Sequence, residues 1–431
     1  MYDLIIVGAG PAGYEAALKA ASLQKKVLLI EKDEIGGTCL NYGCVPTKSL
    51  LAQTASFSEI LKNTSFLLCD NLSVDYLKIL ENKNKTVDRM KKGVEFLLKK
   101  NNVDIIRGEA SLENNNSVKV NDQEFTGDNI LLALGSKSVN LNIEGFDNCI
   151  DSKQFLQTDL TDINKVVIIG GGVIGVEIAT ILTNLKIKVT IIEAQERLIL
   201  NSDQGASLRL KKILNRSGVI IKLNTFIERI EKGKVFADGA IYEGDLIISC
   251  VGRTPNTNSI DPLNILEKEQ GFIKVDSTFK TNIDNIYAVG DCIKGLQLAH
   301  YAKSCALNVV NNLYSNQSLY NLKNIPQCIY TSDEIAFVGS FENDNDLVVQ
   351  RDFIANPKAV IENQNKGFLK LVFTREGFFK GATLMCPRAS DMINIFVTAL
   401  NNKLSIQEMA KDVYPHPSFS EAIGDIISQA I

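Results

Sequence analysis

Histidine is scarce in this chain: 431 residues contain two, His300 and His416. With so few imidazoles, and no C-x-x-C pair among the nine cysteines, no donor set for a zinc site is expected. Uninterrupted apolar runs are missing too. The longest, Val166 to Leu185, is broken by Gly170-Gly171-Gly172 and Gly175 and carries Glu177, so a membrane span is not expected. Positive charge is not in excess: 46 Lys and Arg face 50 Asp and Glu, a net charge of −4, which excludes general nucleic-acid binding by charge. The Met1 end has neither a basic region nor a cleavable apolar core, which gives the expectation of a cytoplasmic protein.

What is present is 45% hydrophobic and 22% charged, suited to a soluble globular chain of about two to four domains. The cysteines are odd in number and scattered, unlike a secreted disulfide framework. Cys69, Cys149, Cys250, Cys292, Cys305, Cys328 and Cys386 read as small buried apolar residues. The lysine-rich stretch Lys83 to Lys100, interleaved with Val87, Met90, Val94, Phe96, Leu97 and Leu98, reads as an amphipathic helix with a solvated lysine face.

The chain opens with a short apolar strand, Tyr2 to Val7, that runs into Gly8-Ala9-Gly10-Pro11-Ala12-Gly13. A helical pattern follows, then the apolar strand Val27-Leu28-Leu29-Ile30 ending in Glu31. Strand, G-x-G-x-x-G, helix, strand and acid make a βαβ dinucleotide site. Gly8 allows the turn, Gly10 lets backbone approach a pyrophosphate, Gly13 lets helix and strand pack closely, and Glu31 can bond a ribose. The design recurs at Gly170-Gly171-Gly172-Val173-Ile174-Gly175, with Lys188-Val189-Thr190-Ile191-Ile192 ending at Glu193. Glu193 would accept from a free ribose 2′-hydroxyl and repel a 2′-phosphate, which favours NAD over NADP, although Arg197 lies nearby. Far downstream, Ile286-Tyr287-Ala288-Val289 ends in Gly290-Asp291. A strand ending in an acid there suits a return into the first domain, where Asp291 could bind the ribityl chain of FAD. The first nucleotide then reads as FAD and the second as NAD, with the NAD domain inserted in the FAD domain.

Between these signals lies Gly36-Gly37-Thr38-Cys39-Leu40-Asn41-Tyr42-Gly43-Cys44-Val45-Pro46-Thr47-Lys48. In a regular helix, Cα atoms five positions apart are separated by about 8–9 Å. A disulfide needs less than about 7 Å. Cys39 and Cys44 therefore cannot both sit in ideal helix and be joined. The glycines and Pro46 predict a distorted helical turn, with a redox-active thiol pair beside the first nucleotide.

Over essentially the whole chain, the order of these parts resembles the pyridine nucleotide–disulfide oxidoreductase family. The resemblance rests on G-G-T-C-x-N-x-G-C-x-P-x-K, the two glycine fingerprints, Val251-Gly252-Arg253-Thr254-Pro255-Asn256, Ala288-Val289-Gly290-Asp291, and Tyr414-Pro415-His416-Pro417-Ser418-Phe419-Ser420-Glu421. It implies an α/β fold of two Rossmann-like dinucleotide-binding domains plus a C-terminal α+β dimerisation domain. Residues 1–150 and 276–325 would form the FAD domain, 151–275 the NAD domain and 326–431 the interface domain. Cys39 resembles the interchange thiol that meets substrate, and Cys44 the thiol nearest the flavin. Lys48 matches the lysine at the flavin edge and Glu177 its ion-pair partner. His416, polarised by Glu421, resembles a catalytic base that arrives from the other subunit, implying a homodimer with shared active sites.

By the same resemblance FAD would be held by Gly8, Gly10, Gly13, Glu31, Gly37, Thr38, Lys48, Ala110, Gly135, Asp291, Leu298, Ala299 and His300, the last chiefly through backbone. NAD would be held by Gly170, Gly172, Gly175, Glu193, Ile227 and Gly252. Retention of His416, the Glu193-Ala194-Gln195 strand end, Leu298-Ala299-His300 and Ile329-Tyr330-Thr331 lean towards members that oxidise dihydrolipoyl groups on other proteins. Those partners would be lipoyl-bearing proteins of 2-oxo acid dehydrogenase or glycine cleavage complexes. A reductase of another small disulfide, or a non-catalytic redox sensor or assembly subunit, are the alternatives. Departures from the family pattern are Tyr42, which would crowd the disulfide face, Tyr414 where a second histidine is common, Leu134, and Lys303-Ser304-Cys305.

Overall fold

The computed structural model describes residues 1–62, 72–315, 317, 319–429 and 431; Cys69 lies outside them. Strand β1 (Tyr2–Val7) runs into Gly8, whose φ is +100°. A Cβ there would lie 2.3 Å from the Ala133 carbonyl oxygen, so only glycine fits the turn. Helix α1 (Pro11–Ser22) begins with proline, where the missing N–H costs nothing. β2 (Val27–Glu31) is buried throughout and parallel to β1, from Leu4↔Val27 to Val7↔Ile30. Two helices, α2 (Gly37–Tyr42) and α3 (Cys44–Lys62), precede the long α4 (Tyr76–Lys100). Next come β3 (Asp104–Arg107), β4 (Ala110–Leu112), β5 (Ser117–Val120) and β6 (Gln123–Leu132). The sheet order is β3-β2-β1-β6-β5-β4.

Helix α4 corrects one expectation. Its buried face is Tyr76, Ile79, Lys83 and Leu98, while Met90, Phe96 and Leu97 are exposed. Lys83 is not solvated: its Nζ donates to the Leu156 carbonyl at 2.5 Å. Its helical register carries it inward with Tyr76 and Ile79, and the carbonyl supplies the hydrogen bond that burial requires.

The chain then passes through β7 (Ser136–Ser138), β8 (Ile150–Asp151) and α5 (Ser152–Phe155) into a second βαβ unit. This contains β9 (Lys165–Ile169), α6 (Val173–Asn184), β10 (Lys188–Ile192), α7 (Gln204–Arg216) and β11 (Ile220–Lys222). An antiparallel trio, β12 (Ile227–Glu231), β13 (Lys234–Ala237) and β14 (Ala240–Glu243), precedes β15 (Leu246–Ser249). The parallel sheet has the order β11-β10-β9-β15-β8. The apolar run at 166–185 is thus a core strand and a core helix. Among the described residues no helix is long and apolar enough to cross a membrane. β16 (Arg253–Pro255) pairs back with β7, and β17 (Lys268–Glu269) and β18 (Phe272–Ile273) form a hairpin. β19 (Ile286–Ala288) then rejoins the first sheet, parallel to β6 from Ile286↔Ile130 to Ala288↔Leu132. The second dinucleotide unit is therefore inserted in the first. α8 (Ala299–Ser315) packs on α1.

The third unit is antiparallel. It comprises β20 (Gln327–Ile329), β21 (Ile335–Gly339), β22 (Leu347–Asp352), α9 (Pro357–Ile361), β23 (Phe368–Phe373) and β24 (Phe379–Met385). It ends in α10 (Ala389–Asn401), α11 (Ile406–Met409) and α12 (Glu421–Ser428). Its sheet order is β20-β21-β24-β23-β22, covered by α10 on β21 and β24. One core joins Leu50 and Leu51 of α3, Val176 and Ala179 of α6, and Ile329, Ile335 and Phe368 of the third unit. The start of α3 thereby lies where all three units meet.

Candidate active site

Gly43, with φ −146° and ψ −110°, ends α2 and separates it from α3. Cys39 lies in α2 and Cys44 is the first residue of α3, so the break supplies the distortion that the spacing demands. Pro46 falls in the first turn of α3, where a proline is tolerated. The sulfurs are unbridged, with Cys44 exposed and Cys39 half-buried. The Cys39 thiol is hydrogen-bonded to Cys44, and this first, then burial, pushes Cys39 up. The same bond brings Cys44 down to about 7; burial opposes it, the Lys48 charge reinforces it and Glu177 counters it. The α3 N-terminus favours a thiolate at that position as well. Burial pushes the thiols of Cys149, Cys250, Cys292, Cys305, Cys328 and Cys386 up, so Cys44 is the one lowered thiol among the described residues. Of these six, Cys292, Cys305 and Cys386 are buried as expected, and the other three only partly.

Lys48 projects one turn beyond Cys44. Its Nζ donates to both carboxylate oxygens of Glu177, at 2.9 and 2.8 Å. The lysine side chain is 33% exposed and the glutamate 5%, so the carboxylate depends on its donors. A third hydrogen bond comes from the backbone N–H of Tyr330, 3.0 Å from Glu177 Oε1, and the Tyr330 ring lies 4.5 Å below the lysine Nζ. Sequence reasoning placed Tyr330 in a suggestive tripeptide but gave it no role at the site. The Tyr42 ring is held by Lys153 at 3.7 Å, and its hydroxyl faces Asp33 at 3.4 Å.

The two glycine turns sit at the carboxyl ends of their parallel strands, where α/β sheets bind ligands. A Cβ on Gly10 or Gly135 in the first, or on Gly172 or Gly252 in the second, would meet no atom within 4 Å. Gly10 and Gly172 are N-caps without a side-chain cap, leaving the first N–H groups of α1 and α6 available to an anion. Gly37, at φ +56°, lies against Gly10: a Cβ on it would come within 2.7 Å of the Gly10 Cα. The acids play matching parts. Glu31 accepts from the N–H groups of Ala9 at 2.6 Å and Asp33 at 2.8 Å; Glu193 accepts from Gly171 at 2.5 Å and Gln195 at 2.7 Å. Arg197 donates to the carbonyls of Ser202 and Leu200, which ties its guanidinium into its own loop. Both cradles suit a dinucleotide pyrophosphate.

Asp291, at the end of the returning strand, accepts from the Ser136 hydroxyl at 2.6 Å, and that oxygen accepts from Arg253 Nε at 2.7 Å. Sequence reasoning assigned a cofactor role to Asp291, named Arg253 only as part of a motif, and did not point to Ser136. Ala110 opens β4 opposite Val120, and Ile227 opens β12 opposite Ala237. Thr38 is exposed in α2 beside Gly37. Leu298 precedes α8, whose first residues are Ala299 and His300. His300 Nε2 lies 2.8 Å from the Pro326 carbonyl and must donate to it.

His416 Nδ1 lies 2.6 Å from Glu421 Oε1, and Ser418 N–H donates to Oε2 at 2.9 Å. The Ser418 bond first, then His416, holds the Glu421 carboxyl below the usual range. Glu421 begins α12, while His416 sits 69% exposed on the preceding loop. Among the described residues no hydrogen bond or ion pair links His416–Glu421 to the Cys39–Cys44 turn.

Residues 2–306 match the family described as pyridine nucleotide-disulphide oxidoreductase, and residues 325–427 match its dimerisation domain. The dihydrolipoyl dehydrogenase of Mycoplasma genitalium is 34% identical, covering 100% of this chain and 98% of that protein. That of Geobacillus stearothermophilus is 32% identical, covering 97% and 94%. Among solved structures, the HOCl-induced flavoprotein disulfide reductase RclA from Escherichia coli matches with a TM-score of 0.89 at 29% identity, over 99% of both chains.

Proposed function

The chain belongs to the pyridine nucleotide-disulphide oxidoreductase family, and from that premise we propose that it is a dihydrolipoyl dehydrogenase, oxidising protein-bound dihydrolipoyl groups and reducing NAD⁺. The observation that carries this is the thiol pair broken across Gly43, in which Cys44 alone is lowered and sits beside Lys48–Glu177. FAD fits the cradle of Gly8, Gly10, Gly13, Gly37, Glu31 and Asp291, and NAD that of Gly170, Gly172, Gly175 and Glu193. When bound, FAD carries the electron pair between the thiols and NAD⁺. Glu193 and the tied-off Arg197 favour NAD over NADP.

The remaining steps belong to the chain's own side chains. The partner subunit's His416 takes the proton from one dihydrolipoyl thiol, with Glu421 holding its Nδ1–H. That thiolate attacks the Cys39 sulfur of a Cys39–Cys44 disulfide. The Cys39–Cys44 bond breaks, and Cys44 leaves as the thiolate that Lys48 and the α3 N-terminus favour. The second dihydrolipoyl thiol attacks the substrate sulfur of the mixed disulfide, closing the lipoyl ring and releasing Cys39, which receives the second proton. Two electrons are then stored as one thiol and one thiolate, with one proton on His416. The dimerisation domain at 325–427 supports two such composite sites per homodimer, served by lipoyl-bearing proteins of 2-oxo acid dehydrogenase or glycine cleavage complexes.

The test is a rate comparison of lipoamide, glutathione disulfide and coenzyme A disulfide, each with NADH and with NADPH. Fast turnover is expected with lipoamide and NADH alone. Preference for another disulfide, or a Cys44→Ser protein that reduces lipoamide at near wild-type rate, overturns the reading.

A further inference from the structure

Lys48 and Glu177 come from the two dinucleotide units, and Tyr330 of the third unit contacts both members of their ion pair. Tyr330, just past β20, lies under the Lys48 ammonium at 4.5 Å and directs its backbone N–H to Glu177 Oε1 at 3.0 Å. Its half-buried hydroxyl is hydrogen-bonded with Ser390 of α10, and Ser390 donates from N–H and hydroxyl to Glu334 Oε2, at 2.9 and 2.8 Å. The tyrosine is thus fixed from behind by α10 and the turn before β21, and it fixes both members of the pair in front. A flexible lysine, a third exposed, has other rotamers open to it; an aromatic face beneath the ammonium removes most of that freedom.

We propose that Tyr330 is a positioning residue for the redox centre: its ring and backbone N–H hold Lys48 and Glu177 in the arrangement that stabilises the Cys44 thiolate, coupling the dimerisation domain to the thiols. The inference rests on the proposed function only in treating Cys44 and Lys48 as working groups. It does not depend on which disulfide is the substrate. The titratable and charged groups around the Cys44 sulfur are Cys39 on α2, Lys48 on α3, Glu177 on α6, Arg253 on β16 and Tyr14 on α1. Of these, Tyr330 stacks under Lys48 and hydrogen-bonds Glu177, so its effect passes through that pair.

The experiment is a pH titration of the ultraviolet thiolate absorbance of the reduced flavoprotein, with Cys44→Ser subtracted as the baseline. Tyr330→Leu removes the ring and is expected to raise the Cys44 midpoint by about half a unit, a fraction of the shift expected for losing the Lys48 charge itself. Tyr330→Phe keeps the ring and the backbone donor and should titrate like the wild type. Adding Tyr330→Leu to Lys48→Met should give no further rise. An unchanged midpoint in Tyr330→Leu, a shift in Tyr330→Phe as large as that in Tyr330→Leu, or a full additional shift in the double variant overturns the proposal. Because the readout is a thiol titration, its failure is distinct from failure to turn over lipoamide.

Discussion

Replacing Lys48 with methionine removes a cation whose charge lowers the Cys44 thiol while keeping a side chain of similar length. Residues one turn apart on a helix have Cβ atoms about 5–6 Å apart. At about 6 Å and an effective dielectric near 20, a unit charge contributes about 3 kcal/mol, or about two pH units. Lys48 is a third exposed and shares its charge with Glu177, so solvent screening reduces this to about one unit. The variant has a second consequence of the same sign. Glu177, 5% exposed, loses two of its three hydrogen bonds and keeps that from Tyr330 N–H. Its bare carboxylate then opposes a neighbouring thiolate more strongly, and it already pushes Cys44 upward. The Cys44 midpoint should therefore move from about 7 to about 8 or higher. At pH 7 the thiolate fraction would fall from about half to about a tenth. Thiolate absorbance of the reduced protein against pH reads this directly, and dihydrolipoamide oxidation at pH 7 should fall at least five-fold. A midpoint that stays within a few tenths of the wild type would refute the assignment of Lys48 as the main charge acting on Cys44.

Other outcomes follow from the same geometry. Glu421→Gln keeps an acceptor for His416 Nδ1 but not the charge that favours imidazolium, and turnover at neutral pH should drop about ten-fold or more while the Cys44 titration is unchanged. Gly172→Val places a side chain in space where a Cβ meets nothing within 4 Å; folding and flavin content should be retained, with NADH binding weakened at least ten-fold by calorimetry. The folded Cys44 thiol is depressed from its ordinary 9.0 to about 7, so the stability it contributes is present above the unfolded value and is lost as pH falls through about 7. The advantage of reduced wild type over reduced Cys44→Ser in urea midpoint should accordingly grow between pH 6.5 and pH 8.5.

Much of the fold was legible because glycine spacing is a backbone constraint. Gly8, Gly13, Gly170 and Gly175 sit where a Cβ would strike a carbonyl oxygen, so the G-x-G-x-x-G pattern reports geometry rather than preference. The return strand was legible for a similar reason, since Gly290 at φ +75° turns the chain to present Asp291. The third unit was legible as an α+β interface domain, but its short and edge strands β20 and β22 were not. β20 spans three residues, and β22 is an edge strand with no residue fully buried, so neither shows the alternation that marks a half-buried strand. Lys83 was misread because charge alone suggested a solvated face, whereas its register with Tyr76 and Ile79 turned it inward.

What escaped the sequence at the site was the set of contacts that need three distant segments at once. His416 and Glu421 are five apart, and a local motif brings them to 2.6 Å. Tyr414 and Gly424 extend that local arrangement in a way the motif does not encode. A Cβ on Gly424 would lie 2.9 Å from the Tyr414 ring, so the helix carrying Glu421 has a glycine where the ring before His416 packs. Among the described residues the buried Tyr414 hydroxyl has no hydrogen-bond partner, which points to the ring, not the hydroxyl, as the useful part. Gly424→Ala should therefore displace the ring and with it the histidine loop, cutting turnover several-fold with thiol titration and flavin content intact. Tyr414→Leu in the same protein should recover part of the loss by vacating the space, and Tyr414→Phe alone should be neutral or slightly stabilising. If Gly424→Ala turned over at the wild-type rate, the ring–glycine contact would be packing without consequence for the base.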